Sequence, residues 1–146
     1  MWKNIVMFFA GFCLYITMEV CFRGYSFPLC GVLGGLALIL IDKINNRISW
    51  DLDLSIQALL GSLLITGLEL VFGSIAKYTP LLPIMWDYSN LPANFAGIIC
   101  LPFSALWILI SVVAIFFADA INYYVFNDPV RPYYRLFGKK FYFIER

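Results

Sequence analysis

Two glutamates, Glu19 and Glu69, each interrupt an apolar stretch that could otherwise cross a membrane. A charged side chain at the centre of a bilayer costs about 2.5–3.5 kcal/mol on insertion scales. Such residues normally face the interior of a helix bundle, where they bind a cation, carry a proton or pair with another polar group. The two positions therefore predict an integral membrane protein with a polar interior.

The two glutamates lie in matched local sequences. Residues 11–22 align without gaps on residues 61–72, at an offset of 50 residues, and Gly, Leu, Glu and Phe coincide at four of the twelve positions. Two Leu-rich helices also reach such similarity by chance, so the alignment leaves both duplication and coincidence open. The matched glutamates favour duplication.

The surroundings of the two carboxylates differ. Arg23 follows Glu19 by four residues, which places both on one helical face and predicts an ion pair. Glu69 has no charged residue within a turn, so it must face a cavity, another helix or Arg23. A structural glutamate that is protonated and hydrogen-bonded is the alternative for Glu69.

Two further polar residues are candidates for the same binding site. Asp87 and Asn94 follow the third apolar stretch, in an aromatic segment that three prolines stiffen. They could cap a turn and the fourth helix, respectively. The segment could equally form a lid over a cavity lined by Glu19 and Glu69.

Four apolar segments, one of them short, predict an all-α fold of four transmembrane helices. The segments run from Asn4 to Phe22, Pro28 to Ile41, Leu54 to Ala76 and Asn94 to Ile121. Pro102 lies inside the fourth and predicts a kink, because proline removes a backbone donor. With the sequence repeat, the four helices are predicted to form two helical hairpins that repeat one another in parallel.

The third segment also predicts a helix-packing surface. Gly61, Gly67 and Gly73 recur at intervals of six residues, and small residues let helix backbones approach closely. Gln57 is expected to hydrogen-bond across the same contact.

The charge distribution orients the predicted helices. Eight of the ten Lys and Arg residues fall on one side of the membrane, and Arg23 and Lys77 fall on the other. The eight are Lys3, Lys43, Arg47, Arg131, Arg135, Lys139, Lys140 and Arg146. The positive-inside rule then places both termini in the cytoplasm and predicts a multi-pass plasma-membrane protein.

The chain divides into a bundle and a tail. Residues 1–126 are predicted to form the four-helix transmembrane domain, and residues 127–146 form a basic, aromatic tail. A segment of this composition next to a membrane is expected to bind anionic headgroups, with a cytoplasmic protein partner as the alternative.

Composition excludes most soluble chemistry. The chain of 146 residues is 62% hydrophobic and 13% charged, where soluble domains are about half apolar and about a quarter charged. It contains no histidine, no P-loop motif and no cysteine pair at metal-binding spacing. We therefore expect no enzymatic activity, no catalytic residue, no bound metal or cofactor and no nucleic-acid partner.

A set of polar and small residues around both glutamates extends over nearly the whole chain, to about Trp107. Its most specific part is the stretch Trp86-Asp87-Tyr88-Ser89. In these residues the chain resembles a family of small bacterial membrane proteins described as putative ABC-transporter type IV. It departs from that pattern at Phe27, where a His is expected, and at Ile98, where a Gln is expected. If these positions line a polar pocket in the relatives, the pocket of this chain is drier. The resemblance implies that the polar residues act together, and it implies no particular substrate.

The leading interpretation is membrane transport, either by a compact channel or carrier or by the membrane subunit of an ATP-driven system. In it, Glu19 and Glu69 bind a cation, a proton or a cationic substrate, and the Asp87 segment gates the site from outside. A separate ATPase would contact the loop 42–53 or the tail.

Two other classes of function stay open. The first is a non-transporting assembly, regulatory or lipid-binding protein whose polar residues hold the bundle together. The second is an intramembrane enzyme that uses the carboxylates as acid and base. Four helices enclose little volume, so a large substrate would require a homo-oligomer.

Overall fold

The structure, a computed structural model, describes residues 1–144 and is mostly helical. Within these residues, four helices are long and apolar enough to cross a membrane, as the sequence predicted. They are α1 (Trp2–Arg23), α2 (Pro28–Asn45), α3 (Leu54–Lys77) and α5 (Leu101–Ala120), which continues as a π-helical turn over Ile121–Val125. The last two residues of the predicted tail, Glu145 and Arg146, lie outside the described residues.

Local sequence sets the ends of the helices. Gly24 ends α1 in the left-handed conformation, with φ of 83°, which glycine adopts without steric cost. Pro28 occupies the first turn of α2, where its missing N–H costs nothing. Asp53 caps α3 by accepting a hydrogen bond from the backbone N–H of Ser55 at 3.0 Å.

The fourth helix begins later than predicted. Asn94 does not cap it but lies in a short antiparallel hairpin of β1 (Asn94–Phe95) and β2 (Ile99–Cys100). Pro102 consequently falls in the first turn of α5 rather than in its interior, so the predicted kink at this position is wrong. The segment between α3 and β1 contains one short helix, α4 (Leu82–Met85).

The four long helices pack as two hairpins. α1 packs along α2, α3 packs along α5, and α2 also contacts α3 and α5. Close approach of α1 and α2 depends on glycine: a Cβ added to Gly34 would lie 2.3 Å from the Cβ of Tyr15. We call the end of the bundle that carries the C-terminus of α1 the Arg23 end, and the opposite end the Asp119 end.

The tail packs against the Asp119 end. It forms an antiparallel hairpin of β3 (Tyr134–Leu136) and β4 (Lys139–Phe141). Tyr134 is 1% exposed, and its ring lies 4.4 Å from the ring of Phe116 in α5. The backbone N–H of Phe137 donates to the carboxylate of Asp53 at 2.7 Å. The described tail is thus joined to the bundle by buried and polar contacts.

Candidate functional site

A cavity of about 470 Å³ lies at the Arg23 end, between α1 and α5. Trp86 and Tyr88, in the segment that follows α4, line one side of this cavity. Its lining is mostly apolar and includes six aromatic side chains: Tyr15, Phe22, Trp86, Tyr88, Phe103 and Trp107. Glu19 and Arg23 are the charged residues that line it. This volume falls within the range of pockets that hold small organic ligands, about 300–1,000 Å³.

Glu69 lies directly behind this aromatic lining. Its side chain is fully buried, and each carboxylate oxygen accepts one hydrogen bond. Tyr88 donates its phenolic O–H at 2.9 Å, and Trp107 donates its indole N–H at 3.0 Å. Both donors therefore reach from the cavity lining to the carboxylate, which is positioned by α3.

Glycine lets the Trp86 segment come close to α3. A Cβ added to Gly73, one turn after Glu69, would lie 2.3 Å from Cγ2 of Ile98 and 3.4 Å from the ring of Trp86. The indole N–H of Trp86 in turn donates to the carbonyl of Ile98 at 2.9 Å. This packing holds Tyr88 against α3, and burial, with the nearby carboxylate of Glu69, raises the pKa of the Tyr88 phenol well above its ordinary value.

The predicted ion pair of Glu19 and Arg23 is present, at 2.9 Å. Ser26 also donates its hydroxyl to Glu19. Arg23 further donates to the carbonyls of Met85 at 2.7 Å and Tyr25 at 3.2 Å, so each of its three side-chain nitrogens has a protein partner. The guanidinium thereby ties the end of α1 to the end of α4.

Asp87 and Asn94 do not join this site. Asp87 is exposed and accepts from the backbone N–H and the hydroxyl of Ser89, and these hydrogen bonds lower the pKa of its carboxyl. Asn94 is exposed and bonds the backbone of Ser89, Leu91 and Gly97. Both residues shape the segment that carries Tyr88, and neither lines the cavity.

The residues predicted to pack helices divide into two groups. Gly61 lies against α5, where an added Cβ would be 2.6 Å from the hydroxyl of Ser111, and Gly73 contacts Ile98. Gly67 is instead exposed, with no atom within 4 Å of an added Cβ. Gln57 donates to the carbonyl of Leu52 at 2.8 Å, so its described hydrogen bond is local rather than between helices.

A second buried polar cluster lies at the Asp119 end, and it was not predicted. Asp119 is 2% exposed, although it lies near the end of α5. Asn45 of α2 donates to Asp119 at 2.8 Å, and Asn122 after α5 donates to Asp42 of α2 at 2.7 Å. The two helices therefore exchange a crossed pair of Asn–Asp hydrogen bonds.

Two more side chains complete the second cluster. Lys3 of α1 forms an ion pair with Asp42 at 3.2 Å, and Tyr134 of the tail hairpin donates to Asp119 at 2.8 Å. Burial, reinforced by the nearby carboxylate of Asp119, raises the pKa of the Tyr134 phenol. α1, α2, α5 and the tail thus meet through two neighbouring sets of polar contacts, one around Asp42 and one around Asp119.

A sequence signal for this cluster exists. The pattern Asp-x-Ile-Asn occurs at 42–45 and again at 119–122. On a helix, positions three apart lie on the same face, so each copy presents a carboxylate and an amide together. The repeat lies at a different offset from the one that relates Glu19 to Glu69, which is why a single gap-free comparison does not reveal it.

The two ends of the bundle differ in chemistry. Among the described residues, no group of three or more His, Cys, Asp or Glu side chains could hold a metal ion. The four cysteines are free. The Arg23 end offers an aromatic cavity bordered by Glu19, and the Asp119 end contains buried polar side chains that pair α2 with α5 and the tail.

Four apolar helices around buried carboxylates define a multi-pass integral membrane protein. Within that class, the chain belongs to the family described as "Putative ABC-transporter type IV", whose family model matches residues 5–137. This confirms the family that the sequence resembles. No curated protein and no solved structure gives a significant match to the chain.

Proposed function

We propose that this protein is a membrane transport component whose cavity at the Arg23 end binds a positively charged substrate. It acts either as a self-contained channel or carrier or as the membrane subunit of an ATP-driven system. The observation that carries the proposal is the position of two carboxylates, Glu19 and Glu69, at and behind the lining of one cavity in an apolar bundle.

The charges around the cavity favour a cation. Two carboxylates, Glu19 and Glu69, lie near one guanidinium, that of Arg23, which pairs with Glu19 and donates hydrogen bonds to the carbonyls of Met85 and Tyr25. The described hydrogen bonds of Glu69 come from donors alone, which suits a carboxylate that acts as an acceptor. A cation is therefore the ligand that this site would neutralise best.

The two ends of the bundle differ in a way that suits transport. The cavity at the Arg23 end lies between α1 and α5, whereas at the Asp119 end the crossed Asn–Asp pairs and Tyr134 hold α2, α5 and the tail together. A carrier that opens one end at a time needs this asymmetry in each of its states. Release at the Asp119 end would require the polar pairs between α2 and α5 to separate.

We place the Asp119 end in the cytoplasm, on the charge distribution, and we propose that the two hairpins are parallel repeats. The Asp-x-Ile-Asn copies support the second point, since α2 and α5 occupy equivalent places in their hairpins and pair reciprocally. Parallel repeats about an axis along the membrane normal are a recurrent plan in transporters.

An ATPase, if one acts with this chain, would dock on the loop before α3 together with the tail hairpin. Tyr133 donates to Asp51 at 3.0 Å, and Arg135 forms an ion pair with Asp51 at 2.9 Å. The two segments that the sequence singled out as contact sites therefore form one surface. Affinity purification of the full chain from its native membrane tests this: a stoichiometric ATPase supports the subunit form, and recovery of the chain alone supports a self-contained protein.

Flux through proteoliposomes tests the transport function itself. With an inside-negative diffusion potential, we would follow proton entry with an enclosed pH dye and the uptake of radiolabelled tetraethylammonium. We expect flux above that of protein-free liposomes, abolished in Glu69→Gln and retained in Asp128→Asn, a matched change at the opposite end. Flux equal in the wild type and Glu69→Gln, at equal incorporation, would remove Glu69 from the mechanism.

A further inference from the structure

We infer that the cavity at the Arg23 end selects organic ammonium cations with an apolar body, rather than inorganic ions. The inference rests on the proposed function for its biological meaning, but the binding site is argued from the structure alone. Three features carry it: the chemistry of the walls, the placement of the charges and the side on which the cavity opens.

The walls are aromatic on several sides. Tyr88 and Phe103 stack with ring centroids 4.6 Å apart, and Tyr15 and Trp107 stack at 6.0 Å. A cation over the face of such a ring is attracted by the ring quadrupole, and enclosures of this kind are typical of sites for quaternary ammonium groups. An inorganic ion would instead need several oxygen ligands, and Glu19 supplies the carboxylate on this otherwise mostly apolar lining.

The buried carboxylate strengthens these walls. Tyr88 and Trp107 both donate a hydrogen bond to Glu69, and donation to a carboxylate leaves each ring richer in electrons. Their faces therefore attract a cation more strongly than those of unbonded rings. Glu69 can act on the ligand in this way without touching it.

Glu19 supplies the direct counter-charge. It borders the cavity, whereas the Arg23 guanidinium is already engaged by the ion pair with Glu19 and by hydrogen bonds to the carbonyls of Met85 and Tyr25. An anionic headgroup would have to displace those contacts. An ammonium group can approach Glu19 with the existing ion pair intact.

The cavity lies between two helices, and exposed apolar side chains form part of its rim. α1 and α5 flank it, and in the part of the chain that the structure describes they do not pack extensively on each other. Phe22 of α1 and Leu106 of α5, both on the lining, are 80% and 41% exposed. In a membrane this rim meets lipid, so an apolar ligand body can enter from the bilayer and leave its charged group beside Glu19.

Binding of a charged and a neutral compound of the same shape tests the inference. The charged probe is tritiated benzyltrimethylammonium, and the neutral one is (2,2-dimethylpropyl)benzene, in which carbon replaces the nitrogen. Both are measured on the full chain in nanodiscs, with empty nanodiscs as background. We expect saturable binding of the cation and at least tenfold weaker binding of the neutral compound.

Variants assign the binding to the cavity. Glu19→Gln should weaken binding of the cation about tenfold, and Phe103→Leu should weaken it about three- to tenfold, as expected for the loss of one ring face. Phe117→Leu, a change at an exposed position of the same helix, should leave it unchanged. Melting temperatures of all variants identify any loss that reflects unfolding.

Each outcome decides the inference. Equal binding of the two compounds overturns the selection for cations, and binding that survives both cavity variants overturns the site. Saturable cation binding without flux upholds the inference and counts against self-contained transport. Proton flux without cation binding upholds transport and overturns the inference.

Discussion

Replacing Gly34 by alanine should destabilise the bundle, because this glycine sets the distance between α1 and α2. An added Cβ would lie 2.3 Å from the Cβ of Tyr15 and 2.9 Å from the carbonyl oxygen of Gly11. Ordinary contacts of this kind begin at 3.4 Å. Neither neighbour can rotate away, since one is a backbone atom and the other is fixed to it. The helices must therefore separate.

The magnitude follows from two opposing effects. Overpacking of a close contact costs about 1–3 kcal/mol. Alanine in place of glycine inside a helix contributes about 0.5–1 kcal/mol in the opposite direction. We expect a net loss of up to about 2.5 kcal/mol for Gly34→Ala. At about 2–4 °C per kcal/mol for a chain of this size, the melting temperature falls by up to roughly 10 °C.

Gly67→Ala is the matched control. Gly67 also lies inside a long helix, but an added Cβ there meets no atom within 4 Å. Only the favourable backbone effect applies, so its melting temperature should equal or exceed that of the wild type. Thermal denaturation in one detergent, followed by circular dichroism, compares the three proteins. Equal shifts for both glycine variants would refute the packing argument.

The same separation should also disturb the ligand cavity. Tyr15 borders the cavity and stacks on Trp107, so a shift of α1 moves one aromatic wall. Gly34→Ala is therefore expected to weaken binding of benzyltrimethylammonium as well as stability. Gly67→Ala should change neither.

Three further predictions concern the Asp119 end and the tail. Asn45→Asp should lower the melting temperature, because it places a second carboxylate against Asp119, and adding Asp119→Asn should restore most of the loss. Equal melting temperatures of the single and double variants would contradict the crossed pairs. Tyr134→Phe should lower the free energy of unfolding by about 1–3 kcal/mol, since it leaves a buried carboxylate oxygen without its donor, and it should speed hydrogen exchange in the tail hairpin. Unchanged exchange would show that other contacts hold the tail. Hydrogen bonds from Ser55 lower the pKa of Asp53 in the folded protein, so its contribution to stability is present above the unfolded pKa of about 3.9 and is lost as the pH falls through the folded value. Asp53→Ala should accordingly lower the melting temperature at pH 7 and less so in strong acid, and a difference independent of pH would refute the linkage.

The parts of the site that sequence predicted are those with short-range causes. The Glu19–Arg23 pair follows from helical spacing alone, and the structure contains it. The sequence left the partner of Glu69 undecided between a cavity, another helix and Arg23. Its hydrogen-bond donors, Tyr88 and Trp107, are 19 and 38 residues away in the chain. No local rule selects these two aromatic residues from the others in the chain.

The differences between the prediction and the structure also come from contacts between residues that lie far apart in the chain. Pro102 looked like a kink because the apolar run before it was read as helix, whereas hairpin pairing of β1 with β2 delays the start of α5. Nothing near Asp119 in the sequence indicates its burial, because Tyr134 of the tail hairpin, which donates to it, comes 15 residues later. Asp87 and Asn94 were predicted to bind the substrate because capping and ligand binding require the same residue types, and the structure places both outside the cavity lining.

The sequence by itself determined that the protein lies in a lipid bilayer, that it has four membrane-spanning helices and that two carboxylates need polar partners within the bundle. These properties depend on the hydropathy of each segment and on the free-energy cost of placing a charge in it. The sequence also determined family membership. Only the tertiary structure decided which polar groups meet: Glu69 with two aromatic donors, α2 with α5 through crossed Asn–Asp pairs, and the tail with the Asp119 end. Those contacts depend on how helices distant in the chain pack against one another, and packing between elements is set by the shapes of both partners together.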